Sequence, residues 1–212
     1  MIRLPPAAAG MRIGLFGGSF NPPHAGHLHV GRMALRRLGL DRLWWLVTPG
    51  NPLKERAGLP TLPERMAMAR AMARDPRIVV TGFEAELPAP YTIETIRFLQ
   101  RRLPGVRFVW IMGADGLASF HRWQDWEEIA ARVPIAVIDR PGQTLRAPFA
   151  KAGRVLAPAR LPESEARALA GCEPPAWIFL HGRRSPLSST ALRARGHAEV
   201  VRGERKKHPV VC

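Results

Sequence analysis

Apolar positions in this chain fall into two alternating patterns: short continuous runs, and longer stretches with apolar residues at helical spacing. Ile13-Gly14-Leu15-Phe16 is the first run and predicts a buried strand ending at Gly17-Gly18. Ala25 to Leu38 carries Leu28, Ala34, Leu35 and Leu38, which predicts a helix closing near Gly39. Leu43 to Val47 predicts a second strand, stopped by Pro49-Gly50. Pro63 to Ala73 predicts a helix whose proline suits its first turn. Ile78-Val79-Val80 predicts a third strand, and Thr92 to Leu103 a helix stopped by Pro104-Gly105. Val106 to Met112 is the most apolar strand candidate. Residues 125–132 read as a helix, Pro134 to Ile138 as a strand, 164–170 as a short helix, Trp177 to Leu180 as a last strand and Ser188 to Arg195 as a last helix.

Strands that are apolar throughout and alternate with helices predict an α/β fold: a doubly wound parallel sheet with helices on both faces. Such sheets bind ligands at the carboxyl ends of their strands, so the chemistry is expected just after strands. No repeat or linker divides the chain. One domain is expected over 11–201, with a loose extension at 1–10 and a basic tail at 202–212. Met1 to Ala9 is too short and too Pro-broken for a signal peptide, and Met11 is expected near the functional start.

Composition narrows the class. The 212 residues are 46% hydrophobic and 23% charged, enough for a packed core. The formal charge of +15 favours anionic partners: nucleotides, polyphosphates or nucleic acid. No apolar run is long enough for a transmembrane helix, so no membrane association is expected. Two cysteines, Cys172 and Cys212, fit neither a disulfide framework nor a thiolate metal site; a reducing cytoplasm is the expected compartment.

Candidate chemistry concentrates after the first strand. Gly17-Gly18-Ser19-Phe20-Asn21-Pro22-Pro23-His24-Ala25-Gly26-His27 joins that strand to the first helix. The two glycines are expected to take positive φ and let backbone approach a ligand. The helix beginning near Ala25 turns its N–H groups and positive dipole end toward the same place. His24 and His27 share one face of its first turn, while His29 lies off that face and reads as structural. Two imidazoles at a helix start could be surface decoration or half of a metal site. With the glycines, the prolines and the position after a strand, they read as a site for polyphosphate oxygens. The segment resembles the HxGH signature of the nucleotidyltransferase superfamily, Gly-x-Phe-Asp-Pro-x-His-x-Gly-His, with Asn21 in place of the usual Asp.

Further segments resemble motifs of one branch of that superfamily, the bacterial nicotinate-nucleotide adenylyltransferases. Pro49-Gly50-Asn51-Pro52-Leu53-Lys54 is similar to a Pro-Asn-x-Pro-x-x-Lys loop with compressed spacing. Tyr91-Thr92-Ile93-Glu94-Thr95 is similar to a Tyr-Thr-x-x-Thr motif that surrounds the nicotinate carboxylate; Thr92 is also expected as the cap of its helix. Gly113-Ala114-Asp115 follows the most apolar strand, and Asp115 matches an aspartate used around the nucleotide. Trp123 matches the family's tryptophan, placed to stack on the pyridine ring, which leaves Trp126 as the core candidate. His121 stands where the family frequently has Pro. Leu187-Ser188-Ser189-Thr190-Ala191-Leu192-Arg193 is similar to an Ile-Ser-Ser-Thr-x-Ile-Arg phosphate cradle.

The resemblance implies a Rossmann-like sheet and adenylyl transfer from ATP to nicotinate mononucleotide, giving deamido-NAD and pyrophosphate. It implies His24, His27 and Arg193 as catalytic. ATP would be held by Gly17, Gly18, Ser19, Phe20, Lys54, Gly113, Asp115, Ser188, Ser189, Thr190 and Arg193, together with the two histidines. The nicotinate nucleotide would meet Ser19, Lys54, Tyr91, Thr92, Asp115 and Trp123. Mg²⁺ is expected on the ATP phosphates rather than in a protein metal site. A nicotinamide mononucleotide or pantetheine-phosphate acceptor is the nearer alternative. A basic nucleic-acid binder is the more distant one, disfavoured because the basic residues spread along the chain without an aromatic-rich motif. A homo-oligomer is compatible with the sequence.

Overall fold

A computed structural model describes residues 2–49, 60–139 and 147–182 of the chain. Its elements run β1 (Arg12–Gly18), α1 (Ala25–Arg37), β2 (Arg42–Val47), α2 (Leu62–Met72), β3 (Ile78–Thr81), α3 (Thr92–Arg102), β4 (Arg107–Gly113) and α4 (Ala114–Ser119). They continue with α5 (Trp126–Arg132), β5 (Ile135–Ile138), α6 (Lys151–Val155), β6 (Arg160–Leu161) and β7 (Trp177–Leu180). The strands form one parallel sheet in the order β3-β2-β1-β4-β5-β7-β6. The chain winds one way from β1 through β2 to β3, then crosses back to β4. That reversal opens a crevice between the carboxyl ends of β1 and β4, where ligands bind in doubly wound sheets.

Period-two alternation splits each strand's side chains between two cores. Adjacent Trp44 and Trp45 are both fully buried, on opposite faces. Trp44 meets Phe108 in a layer completed by Ile93, Ile96 and Leu99 of α3 and by Leu117, Phe120 and Ile129. Trp45 lies in the layer completed by Val30, Met33, Ala34 and Leu35 of α1. Helices therefore cover both faces, as the continuous apolar strands predict.

Several local expectations differ. The 164–170 stretch forms two 3-10 turns, Glu163–Glu165 and Leu169–Gly171, in place of one helix. Helix α4, starting directly at the end of β4, and the two-residue β6 have no counterpart in the sequence reading. The segment expected to be a loose extension lays Ile2, Leu4 and Ala7 against the α3 side of the core, and Gly10 N–H donates to the Gly105 carbonyl at 2.7 Å. Those half-buried apolar side chains supply the reason. The expected last helix at 188–195 and the tail at 202–212 lie outside the described residues.

Candidate active site

Strand register brings the motif after β1 beside the motif after β4. Phe16 of β1 pairs with Ile111 of β4, and two residues further on each strand stand Gly18 and Gly113. Gly17 is packed closely: a Cβ there would lie 3.2 Å from the Trp110 ring. Neither Gly17 nor Gly18 takes the expected positive φ. The left-handed residue of this turn is Phe20, at φ 45°. Its ring is fully buried, stacked on Trp45 at 5.0 Å and set 4.7 Å from His27. Such a backbone costs about 1–2 kcal/mol for a residue with a Cβ, offset here by the buried aromatic packing. No sequence signal marks a phenylalanine for that role.

The two histidines build the start of α1. His24 is its N-cap, and its Nδ1 accepts from Gly26 N–H at 3.1 Å. His27 reaches back so that its Nδ1 accepts from His24 N–H at 3.2 Å. This is a capping box made of two imidazoles, whose rings lie 3.9 Å apart. Because both Nδ1 atoms accept from backbone N–H groups, each neutral ring carries its proton on Nε2. The pair thus turns two N–H donor edges away from the helix backbone, at the positive end of the α1 dipole. The first turn holds no acidic residue, and Arg36 and Arg37 lie in the last.

The second cluster lies on the α3 side. Tyr91, half exposed, is the N-cap of α3; Thr92 is the first helical residue and does not cap it as expected. The capping side-chain bond is absent because the N-cap position falls to Tyr91, which lacks the short side-chain acceptor that caps a helix. Thr95, fully buried, donates through Oγ1 to Glu84 Oε1 at 2.8 Å and lies 3.5 Å from the Tyr91 carbonyl. Glu84 is itself buried in the 3-10 turn Phe83–Glu86, and burial raises its carboxyl above the ordinary carboxylate range. Trp123 is half-buried and sits edge-to-face on Trp110 (6.0 Å) and Phe120 (5.4 Å). Through Trp110 it connects to Gly17, so both clusters share the β1–β4 crevice. Trp126 is in the core, as expected. Asp115 is exposed in the first turn of α4, just past the β4 end.

Arg97 pairs with Glu94 of α3 and Glu128 of α5, tying the helix after Tyr91 to the helix after Trp123. Two residues near the crevice escaped the sequence reading. Glu84 is one of two acids in Phe83-Glu84-Ala85-Glu86, and Arg65 is one arginine among many; nothing in the pattern separates either from a solvated charge. Lys54, Ser188, Ser189, Thr190 and Arg193 lie outside the described residues.

Comparison with known proteins bears on the family and the fold. A family model described as cytidylyltransferase-like matches residues 15–195. A Methylorubrum extorquens protein named "Probable nicotinate-nucleotide adenylyltransferase" is 64% identical over 87% of this chain and 100% of its own length. A Rhizobium meliloti protein of the same name is 58% identical over 87% of this chain and 98% of its own. The fold is similar to that of the Plasmodium falciparum nicotinic acid mononucleotide adenylyltransferase complexed with NaAD. The TM-score is 0.66 at 15% identity, over 87% of this chain and 83% of that one. With a parallel sheet reversed at β1, an HxGH helix start at that reversal and relatives matched over their full length, the chain belongs to the cytidylyltransferase-like family, among its nicotinate-nucleotide adenylyltransferases.

Proposed function

We propose that this protein transfers the adenylyl group of ATP to nicotinate mononucleotide, releasing pyrophosphate and deamido-NAD. A 5′-phosphate oxygen of the acceptor attacks the α-phosphorus of ATP in line. The new P–O bond forms as the bond to the bridging α,β-oxygen breaks, and that electron pair leaves on pyrophosphate. The attacking phosphate is ionised near neutral pH, so no base has to activate it. The protein's work is to hold two polyanions together and to meet charge as it moves to the leaving group.

The observation that carries this reading is the imidazole capping box at the sheet's reversal point. Its two Nε2–H edges suit phosphate oxygens, and their tautomers are set by the α1 backbone. In this reading His24 and His27 meet the ATP phosphates and the developing charge, aided by the Ser19 and Phe20 backbone, Gly17 and Gly18. Gly113 and Asp115 border the nucleotide from the β4 side. Tyr91 and Thr92 receive the nicotinate carboxylate at the start of α3, and Trp123 stacks on the pyridinium. Lys54, Ser188, Ser189, Thr190 and Arg193 complete the phosphate contacts. Magnesium enters with ATP, held by phosphate oxygens and water. Among the described residues no three His, Cys, Asp or Glu side chains cluster as a metal site. The cytoplasm, where ATP is made and used, is the compartment this reading implies. Among the described residues no helix is long and apolar enough to cross a membrane. The +15 charge serves polyanionic small molecules rather than nucleic acid.

The test is product analysis with magnesium, ATP and nicotinate mononucleotide. Pyrophosphate and a dinucleotide should form one to one. ATP turnover without a dinucleotide product would overturn the reading.

A further inference from the structure

Arg65 is the most deeply buried charged side chain among the described residues, 1% exposed. It sits in the first half of α2, a helix whose other buried residue is Ala69, one turn on. Leu62, Met66, Ala69 and Met72 already dock the helix on the core as an apolar stripe, and the guanidinium is buried beside it. Its Nη1 donates to the Ser19 and Thr48 carbonyls, at 2.8 Å each, and its Nε to the Pro60 carbonyl at 3.1 Å. Among the described residues no carboxylate accepts from it. Burying a cation on backbone carbonyls alone is a costly way to attach a helix. The carbonyls it holds give it a different use.

Ser19 and Thr48 are the residues by which β1 and β2 leave the sheet. Thr48 N–H donates to the Gly18 carbonyl at 3.0 Å, so the two exits are already joined by one backbone bond. Arg65 adds a second tie through one shared nitrogen. The Ser19–Phe20 peptide is trans, and in a trans peptide the carbonyl and the following N–H point in opposite directions. Fixing the Ser19 carbonyl on Arg65 therefore aims the Phe20 N–H away from α2. Phe20 is held left-handed, so without that anchor the peptide has an easier alternative rotation.

We propose that Arg65 is a positioning residue for phosphate binding: it sets the direction of the Phe20 N–H through the Ser19 carbonyl and places a buried positive charge behind the phosphate cradle. The inference rests on the adenylyl-transfer reading, because it takes the turn after β1 as that cradle. A buried cation acts across low dielectric, so its field at the cradle is weakly screened.

The experiment compares wild type, Arg65→Lys and Arg65→Gln. It measures affinity for inorganic tripolyphosphate by calorimetry, KM for ATP and kcat, all per folded molecule, with melting temperature alongside. Tripolyphosphate affinity should fall ~10-fold or more in Arg65→Gln, the loss expected for a charge-assisted contact network, and less in Arg65→Lys. KM for ATP should rise in the same order. A purely structural role lowers the melting temperature but leaves both quantities at wild-type values per folded molecule, and that result overturns the proposal. Should Arg65→Gln not fold, Arg65→Lys decides by the same two quantities. Wild type that binds tripolyphosphate but makes no dinucleotide would remove the adenylyl-transfer reading while still testing Arg65. Wild type that does not bind tripolyphosphate overturns the Arg65 role as well.

Discussion

His24→Asn separates the structural role of the imidazole pair from its chemical one. His24 caps α1 by accepting the Gly26 N–H on Nδ1. Asparagine is among the best N-cap residues, and its Oδ1 can take the same bond. The substitution therefore keeps the cap and deletes Nε2–H. Losing a cap costs about 1 kcal/mol, which is about 2–4 °C in a domain of this size. His24→Ala should show that drop, and His24→Asn should melt within about 2 °C of wild type. Turnover should follow the other role. Removing one preorganised donor from a developing charge costs ~10²–10³ in kcat, or about 2.7–4 kcal/mol. Both variants should lose turnover to that extent, although only one loses stability. The assay is pyrophosphate release at saturating ATP and acceptor, with a thermal melt of the same samples. A stable His24→Asn enzyme with near-normal kcat would refute the argument that the pair serves phosphate through Nε2.

Three other perturbations test the rest of the account. Trp123→Ala should raise KM for nicotinate mononucleotide by ~10-fold with little change in KM for ATP, from lost stacking and cation–π attraction; equal shifts in both KM values would count against it. Glu84 is a buried acid raised above its ordinary 4.5, so its protonated form is favoured by folding, and wild type loses stability as pH rises from about 4.5 through the folded value. Glu84→Gln keeps an acceptor for Thr95 and escapes that loss. Its melting temperature should gain on wild type between pH 4 and pH 7.5, and a pH-independent difference would show the carboxyl is not desolvated. Deleting residues 2–10 uncovers the core patch under Ile2, Leu4 and Ala7; melting temperature should fall by a few degrees with kcat retained, and an unchanged melt would mean the segment contributes no net packing.

The parts legible in the sequence are those where periodicity changes sharply. β1 gives way to α1 through a run of Gly, Pro and His, and the switch from continuous apolar residues to helical spacing is unambiguous there. The same change marks β2, β3, β4 and β7. Trp126 reads as core because Trp123 takes the position where the family motif carries an aromatic, and Trp126 is indeed in the core, with Trp123 half-buried against it. Helix α4 is not legible because Gly113-Ala114-Asp115-Gly116 has the composition of a loop; its place is set by packing of Ala114 and Leu117 into the core. β6 is two residues long and exists only through its pairing with β7. The left-handed Phe20 and the buried Arg65 are illegible for a related reason. Each is stabilised by partners distant in sequence, Trp45 for the one and the Ser19 and Thr48 carbonyls for the other, so no local pattern announces them. Thr95 reads as a helix-start residue, and its tie to Glu84 needs the fold to bring residue 84 alongside.

Acceptor choice decides whether nicotinate mononucleotide is the substrate. With magnesium and ATP in excess, kcat/KM should be measured for nicotinate mononucleotide, nicotinamide mononucleotide and phosphopantetheine. A strong preference for the nicotinate acceptor is expected if the start of α3 meets its carboxylate, because a neutral amide in its place is held less strongly by the helix end. Equal use of both pyridine nucleotides would contradict the role given to Tyr91 and Thr92. Turnover with phosphopantetheine alone would contradict the assigned reaction.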